Sequence, residues 1–362
     1  MNKVSLKKNL TDAVKIICFA LVFALTFAGL SNVFVPKGKN DATGMSANIT
    51  DAYLGEDNNT IDVVFIGNSD VYRAINPVQI WEKEGITSCD VGMPRMTAYD
   101  AYRKLGNLFK KQQPKLVVLE TDCIFTTSNT FDEQGKIIND SPVNDLSENV
   151  NSGLNNLKTQ FKNLDDAILS GISYNFPLAK YKYRWKQIKL KDFVNRKGKY
   201  SYFAKGFIYD NQKKPFTHGD TYMQDGSCPK EVIDEITMKS LNNICSLCSE
   251  NGAQLMLLSV PSGNSWNINK HNLIKDYADE KGIKFVDFNK DIQLVSGFDW
   301  NTDTKDEGNH LNCFGAEKVT DAVIKILKDD YRLERSSLND EQMKKWNSDA
   351  KMYYTEIVKG KK

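Results

Sequence analysis

Ser69 stands two residues beyond the apolar run in the stretch IDVVFIGNSDVY, after Gly67 and Asn68. A serine hydroxyl is a weak nucleophile until a base takes its proton, and the chain has only three histidines, His218, His271 and His310. His271 opens a helical pattern in NKHNLIKDY and reads as solvent-facing, while His218 sits in the loop-like KPFTHGD. His310 lies in DTKDEGNHLNCFGAEKVT, with Asp306 four and Glu307 three residues before it. One local turn aims a carboxylate at that spacing toward Nδ1, where it fixes the tautomer and stabilises an imidazolium. Each motif alone has a blander reading: Gly67-Asn68-Ser69-Asp70 is ordinary turn chemistry, and Asp, Asn and His ahead of a helix cap its free amides. Neither G-x-S-x-G nor the phosphate-binding G-x-G-x-x-G is present, which argues against a hydrolase elbow of that type and against a dinucleotide site.

The two motifs gain meaning from the elements that hold them. VVFIG, ITSCDVGM and PKLVVLETD read as buried strands, separated by the helical patterns PVQIWEKEG and TAYDAYRKLGNLFKKQQ. The second of these carries Tyr102, Leu105, Leu108 and Phe109 on one face. The alternation resumes with KEVIDEITMKSLNNICSLCSENG (helix), AQLMLLSVPS (strand), NKHNLIKDYADEKG (helix), IKFVDFN (strand) and NCFGAEKVTDAVIKILKDDY (helix). Continuously apolar strands are buried on both faces, and helices between them imply parallel βαβ crossovers. The expected fold is a three-layer α/β/α, doubly wound, mostly parallel sheet of about five strands. Ser69 after the first strand and His310 after the fifth then share the carboxyl edge, where such sheets bind ligands.

A serine after the first strand and a late D-x-x-x-H-L-N-x-x-G-A-x-K before the last helix resemble the SGNH (GDSL-type) hydrolase superfamily, over most of residues 61–330. VVFIGNSDVYRAINPVQIWEKEGITSCDVGM and HLNCFGAEKVTDAV are similar to a membrane-anchored bacterial branch that includes D-alanine transfer and alginate O-acetylation proteins. The resemblance implies Ser69 as nucleophile, His310 as general base and Asp306 as orienting acid, with Glu307 the alternative because the acid usually stands three residues before the histidine. It also implies oxyanion donors at the amides of Ser69 and Gly92. The asparagine that usually follows the third strand is missing: the position reads LETDCIF, with Glu120 and Asp122. Losing one oxyanion donor costs on the order of a hundredfold or more in rate. Asn68, Asp70, Arg184, Trp185 and Asn312 are candidate substrate contacts. No metal or organic cofactor is implied.

Outside this core, the basic residues of 1–12 precede an apolar stretch, 13–35, of the length a membrane-spanning helix needs. The positive-inside rule puts the N-terminus in the cytoplasm and the rest outside it. A cleaved signal peptide ending near Thr26-Phe27-Ala28 is the competing reading. Residues 36–60 form a polar tether, 61–330 the hydrolase-like domain with a long helical insertion at 124–229, and 331–362 a surface helix docked by Trp346, Tyr353 and Ile357. The aromatics and cations of KYKYRWKQIKLKDF and YSYFAKGFIYD suit either a small satellite core or a platform for a polar polymer. Cys245 and Cys248 lack a second pair at zinc spacing. With 48 Lys+Arg against 46 Asp+Glu, a net charge of +2 gives no reason to expect a nucleic-acid partner. The expected function is an extracytoplasmic acyl-ester hydrolase or O-acyltransferase, acting on an acylated cell-surface glycopolymer, with a membrane-bound O-acyltransferase as the candidate partner. Its rivals are a catalytically weak or inactive protein of the same fold that binds a glycopolymer or partners such an acyltransferase, and a small-ligand sensor on a Rossmann-like sheet.

Overall fold

The computed structural model describes residues 52–126, 202–224 and 231–359, with scattered residues at 12–34, 130–131, 137–138, 185–186, 188 and 193. The chain divides into two compact units, residues 1–46 with 129–199, and residues 47–128 with 200–362. The sheet and every residue of the candidate site below lie in the second.

Strands β1 (Val63–Gly67), β2 (Ser88–Gly92), β3 (Leu116–Glu120), β4 (Gln254–Ser259) and β5 (Lys284–Asp287) form one sheet in the order β2-β1-β3-β4-β5. Every pairing is parallel, with Val63 opposite Ser88 and Leu116, and Leu257 opposite Leu119 and Phe285. This is the flavodoxin-like order, whose switch point falls between β1 and β3. The all-parallel sheet of five strands matches the alternation of strand and helix patterns in the sequence. Side chains alternate across each strand, so Val64, Ile66, Val117 and Leu119 face one helical layer and Val63, Phe65, Leu116 and Val118 the other. The first layer comprises α3 (Ala98–Leu108), α5 (Glu235–Glu250) and α6 (Ile268–Lys281), through Leu105, Ile244 and Ile274. The second comprises α1 (Ser69–Ala74), α2 (Pro77–Glu84) and α7 (Cys313–Asp329), through Val71, Ile80 and Val323.

Local chemistry sets the helix boundaries. Asn76 caps α2 through the amides of Val78 and Gln79, and Pro77 occupies a position whose N–H has no helical partner anyway. Thr97 and Asp100 form a reciprocal capping box on α3, a device worth about 1 kcal/mol. The helix expected over 230–252 begins later, at Glu235, because Asp234 caps it by accepting from the Thr237 amide. A short helix, α4 (Asp122–Phe125), follows β3. The C-terminal helix α8 (Asp340–Tyr353) buries Trp346 and Tyr353 against the sheet-covering layer, whereas Ile357 in the following turn is only partly buried. Trp346 packs at a tilt on Trp81, ring centroids 5.1 Å apart, and the buried Lys205 ammonium lies 4.1 Å from its ring centroid while bonding Glu56 and Asp349.

Of the expected membrane span, the described residues of 12–34 are helical. Val14, Ile17, Phe19, Leu21, Val22 and Phe23 are exposed there, and Phe19, Phe23 and Phe27 stack one turn apart. Among the described residues no helix is long and apolar enough to cross a membrane, and the rest of that span lies outside them. Most of the 124–229 insertion, Arg184 included, also lies outside the described residues.

Candidate active site

The turn after β1 is built by Asn68. Its side-chain oxygen accepts from the Asp70 amide at 2.9 Å and caps α1, while its Nδ2 donates to Asp122 Oδ2 at 2.7 Å. One side chain therefore starts the helix and ties it to the end of β3. Ser69 becomes the first residue of α1, where a backbone N–H has no intrahelical acceptor.

A second loop delivers His310. Thr304 and Leu311 form an antiparallel bridge, and the Asn312 amide donates to the Asp303 carbonyl at 3.0 Å. Between them the chain must reverse, and it does so with Glu307 at φ 60° and Gly308 at φ 91°. A side chain at Gly308 would meet the Phe216 ring at 2.5 Å, so the left-handed turn and the packing both demand glycine. Asn264 donates to the Glu307 carbonyl at 2.5 Å and Ser262 to the Asn309 carbonyl at 2.8 Å, fixing the loop from β4's side.

The two loops meet in a hydrogen-bonded chain. His310 Nε2 lies 2.7 Å from Ser69 Oγ, and His310 Nδ1 lies 2.6 Å from Asp306 Oδ2. Asp306 Oδ1 also accepts from the His310 backbone amide at 2.6 Å. A carboxylate only accepts, so the Nδ1 proton points to Asp306 and Nε2 is left to accept from the Ser69 hydroxyl. Burial pushes the Asp306 carboxyl up, but the bonds from His310 and the charge of Lys305 outweigh it and hold the group below its ordinary value. Glu307 takes no part: its side chain is exposed and paired with Lys214 at 2.9 Å. The longer Asp306-to-His310 spacing is thus absorbed by the left-handed turn.

Cations and acids flank this chain on separate sides. Arg73 and Lys305 both contact Asp210, at 3.3 and 2.7 Å, bridging α1 to the His310 loop. Burial raises Asp210, but the Lys305 and Gln212 bonds and the two cationic charges bring it below its ordinary value. On the β3 side stand Asp70, Glu120 and Asp122, where the resemblance leads one to expect an asparagine. Burial first, then repulsion from Asp122 and Asp306, drives Asp70 well above the ordinary carboxylate range, Lys270 opposing. Glu120 is raised for the same reasons, by burial and then by Asp70 and Asp122; its Oε1 accepts from the Asp122 amide and its Oε2 has no partner among the described residues. Lys270 approaches Asp122 at 3.5 Å and donates to the Ser265 carbonyl at 2.5 Å.

The remaining sequence candidates separate. Asn312 does not face a substrate: it is 1% exposed, its Nδ2 donates to the carbonyls of Gln212, Thr302 and Thr304, and its Oδ1 caps α7. Asn68 and Asp70 are buried beneath Ser69, shaping its turn. Trp185 is exposed and stacks with Lys186 in the first unit. His271 is not solvated as its position suggested; its Nδ1 lies 2.7 Å from the buried Asp287. Gly92 ends β2, in register with Gly67. The Met93 amide donates to the Gly67 carbonyl and the Asp90 amide to the Lys205 carbonyl on the opposite edge. Strand amides alternate, so the Gly92 N–H shares Asp90's edge, away from β1. Sequence reading passed over Tyr72, which is buried with its ring against Gly92.

A proton relay ending on a serine at the carboxyl edge of a parallel sheet is an arrangement for nucleophilic attack on a carbonyl. No family model and no curated protein matches the chain. Among solved structures, a lipase/acylhydrolase from Enterococcus faecalis aligns over 77% of this chain and 100% of its own, at 11% identity and a TM-score of 0.36. A GDSL-like lipase from Bacteroides thetaiotaomicron aligns over 74% of this chain and 88% of its own, at 13% identity and a TM-score of 0.33.

Proposed function

We propose that the chain is a serine-dependent acyl-ester hydrolase or O-acyltransferase of the SGNH type. The observation that carries the reading is the continuous Ser69–His310–Asp306 hydrogen-bonded chain, at 2.7 and 2.6 Å. Ser69 Oγ attacks the ester carbonyl as His310 Nε2 takes its proton. The tetrahedral intermediate collapses, the leaving alkoxide receives that proton, and an acyl-serine remains. Water or a sugar hydroxyl then enters with His310 again as base. Asp306 holds the imidazole and stabilises the transient imidazolium, and the free Ser69 amide donates to the oxyanion.

The acceptor and the setting belong to the same proposal. The apolar exposed residues of 12–34 favour a membrane anchor, with the site outside the cytoplasm. An acylated cell-surface glycopolymer is the substrate class, and a membrane-bound O-acyltransferase the candidate partner. The carboxylates at Glu120 and Asp122, in place of an amide donor, favour a second reading, a catalytically weak protein of this fold. One experiment separates the two. Full-length protein in detergent is treated with a fluorophosphonate probe beside Ser69→Ala, and p-nitrophenyl acetate turnover is measured on both. Ser69-dependent labelling and turnover support catalysis; labelling equal in the two proteins, with no turnover, leaves the non-catalytic reading.

A further inference from the structure

The two ends of the proton relay belong to segments far apart in the chain, Ser69 on α1 and His310 on the loop before α7. A 2.7 Å contact between them requires that both elements be held in one register. The described end of the long insertion supplies that hold. Beside α1, the Ile208 amide donates to the Tyr72 carbonyl at 2.8 Å. Further along, the Lys214 amide donates to the Thr304 carbonyl at 3.0 Å, and the Thr304 hydroxyl donates to the Lys214 carbonyl at 2.6 Å. The Phe216 ring then covers Gly308 at the turn of the His310 loop. Asp210 stands between these ends and touches α1, the His310 loop and α7 at once. Its Oδ2 accepts from Arg73 on α1 at 3.3 Å and from Lys305, the neighbour of Asp306, at 2.7 Å. Its carbonyl accepts from the amide of Cys313, the first residue of α7, at 2.6 Å. Its Oδ1 accepts from the Gln212 amide at 3.0 Å, which fixes the direction of the carboxylate.

We propose, resting on the esterase reading above, that Asp210 is a positioning residue of this site: its carboxylate, held between Arg73 and Lys305, sets the approach of the Ser69 helix to the His310 loop. It acts through these two cations rather than on the substrate. Burial raises the carboxyl, but Lys305, Gln212 and Arg73 outweigh it, so the group stays anionic across the neutral range. Fully exposed ion pairs contribute little, but here the three side chains are only 15–20% exposed, so solvent screens them less. Neutralising Asp210 leaves two like charges facing each other across the join, and their repulsion drives the two elements apart. Misplacing reacting groups by about 1 Å costs on the order of a hundredfold in rate. Such a loss falls on the chemical step, in kcat rather than in KM.

The test uses full-length protein in detergent with p-nitrophenyl acetate, each rate normalised to the fraction of Ser69 titrated by a fluorophosphonate run to completion. Asp210→Asn keeps the size and the Oδ1 acceptor while removing the charge. The expected result is a kcat lowered about 10- to 100-fold, KM within about threefold of wild type, and a fluorophosphonate labelling rate lowered by a factor similar to kcat. Lys305→Met in the Asp210→Asn background removes the repulsion, so the double variant is expected to lose no more than Asp210→Asn alone. Lys214→Met breaks the exposed pair of the same segment with Glu307 and is expected to stay near wild type. A wild-type kcat in Asp210→Asn, a change in KM alone, or losses that multiply in the double variant overturns the inference and leaves the esterase reading standing. Lys214→Met as impaired as Asp210→Asn overturns it too, since the whole segment rather than the carboxylate is then responsible. Wild type no more active than Ser69→Ala overturns the reading and the inference together.

Discussion

The spacing of Asp306 and Glu307 ahead of His310 gives the most decisive perturbation. Asp306→Asn removes the charge facing Nδ1 while nearly keeping the side chain's shape. Two contacts are involved, the backbone amide of His310 and its Nδ1, both at 2.6 Å. Hydrogen bonds to a charged group contribute about 1.5–3 kcal/mol each. The backbone bond is equally strong before and during reaction, so it affects position only. The Nδ1 bond grows as the imidazolium forms, and its loss alone gives about a 10- to 100-fold slower kcat. An asparagine amide directed at Nδ1 also favours the wrong tautomer, which extends the expected loss to about 10²–10⁴-fold. Glu307→Gln, whose side chain is exposed and paired with Lys214, is expected to stay within about threefold, as surface pairs contribute little. Steady-state hydrolysis of p-nitrophenyl acetate by the full-length proteins reads both. The reverse ranking, with Glu307→Gln crippled and Asp306→Asn near wild type, refutes the geometry-based assignment.

Two further outcomes concern the scaffold. Asp90 is fully buried with neither carboxyl oxygen hydrogen-bonded among the described residues, and burial raises it well above its ordinary value. The folded state therefore holds a proton that the unfolded chain releases near pH 4, so stability falls as pH rises from about 4 toward the raised folded value. Asp90→Asn is expected to flatten this dependence, with its melting temperature gaining on wild type as pH increases; parallel curves between pH 5 and 9 would contradict it. Trp346→Ala removes the ring between Trp81 and the Lys205 ammonium. The expected cost is about 3–5 kcal/mol, read as a lower urea midpoint at unchanged slope, and a loss below about 1 kcal/mol shows that α8 is not part of the folded core.

The sequence by itself determined the layout of the sheet. Five apolar runs separated by amphipathic patterns allow little else, because parallel strands need helical crossovers and burial on both faces. It also singled out Ser69 and His310, since only one of three histidines sits next to the carboxyl edge. It overstated Asn312, whose Oδ1 caps α7 and whose Nδ2 ties down the carbonyls of Gln212, Thr302 and Thr304, and it took His271 for a surface residue although the buried Asp287 draws it inward. Such errors are intrinsic to local reading: a polar residue at a helix start looks the same whether it caps, pairs or binds. Tertiary structure alone decided which acid faces His310, because that depends on a left-handed turn at Glu307 and Gly308. It alone brought Tyr72 over Gly92, a contact between the helix after β1 and the end of β2 that no spacing along the chain encodes. The physical reason is common to both: backbone periodicity is written locally, whereas the aim of a side chain is set by what packs against it from elsewhere in the chain.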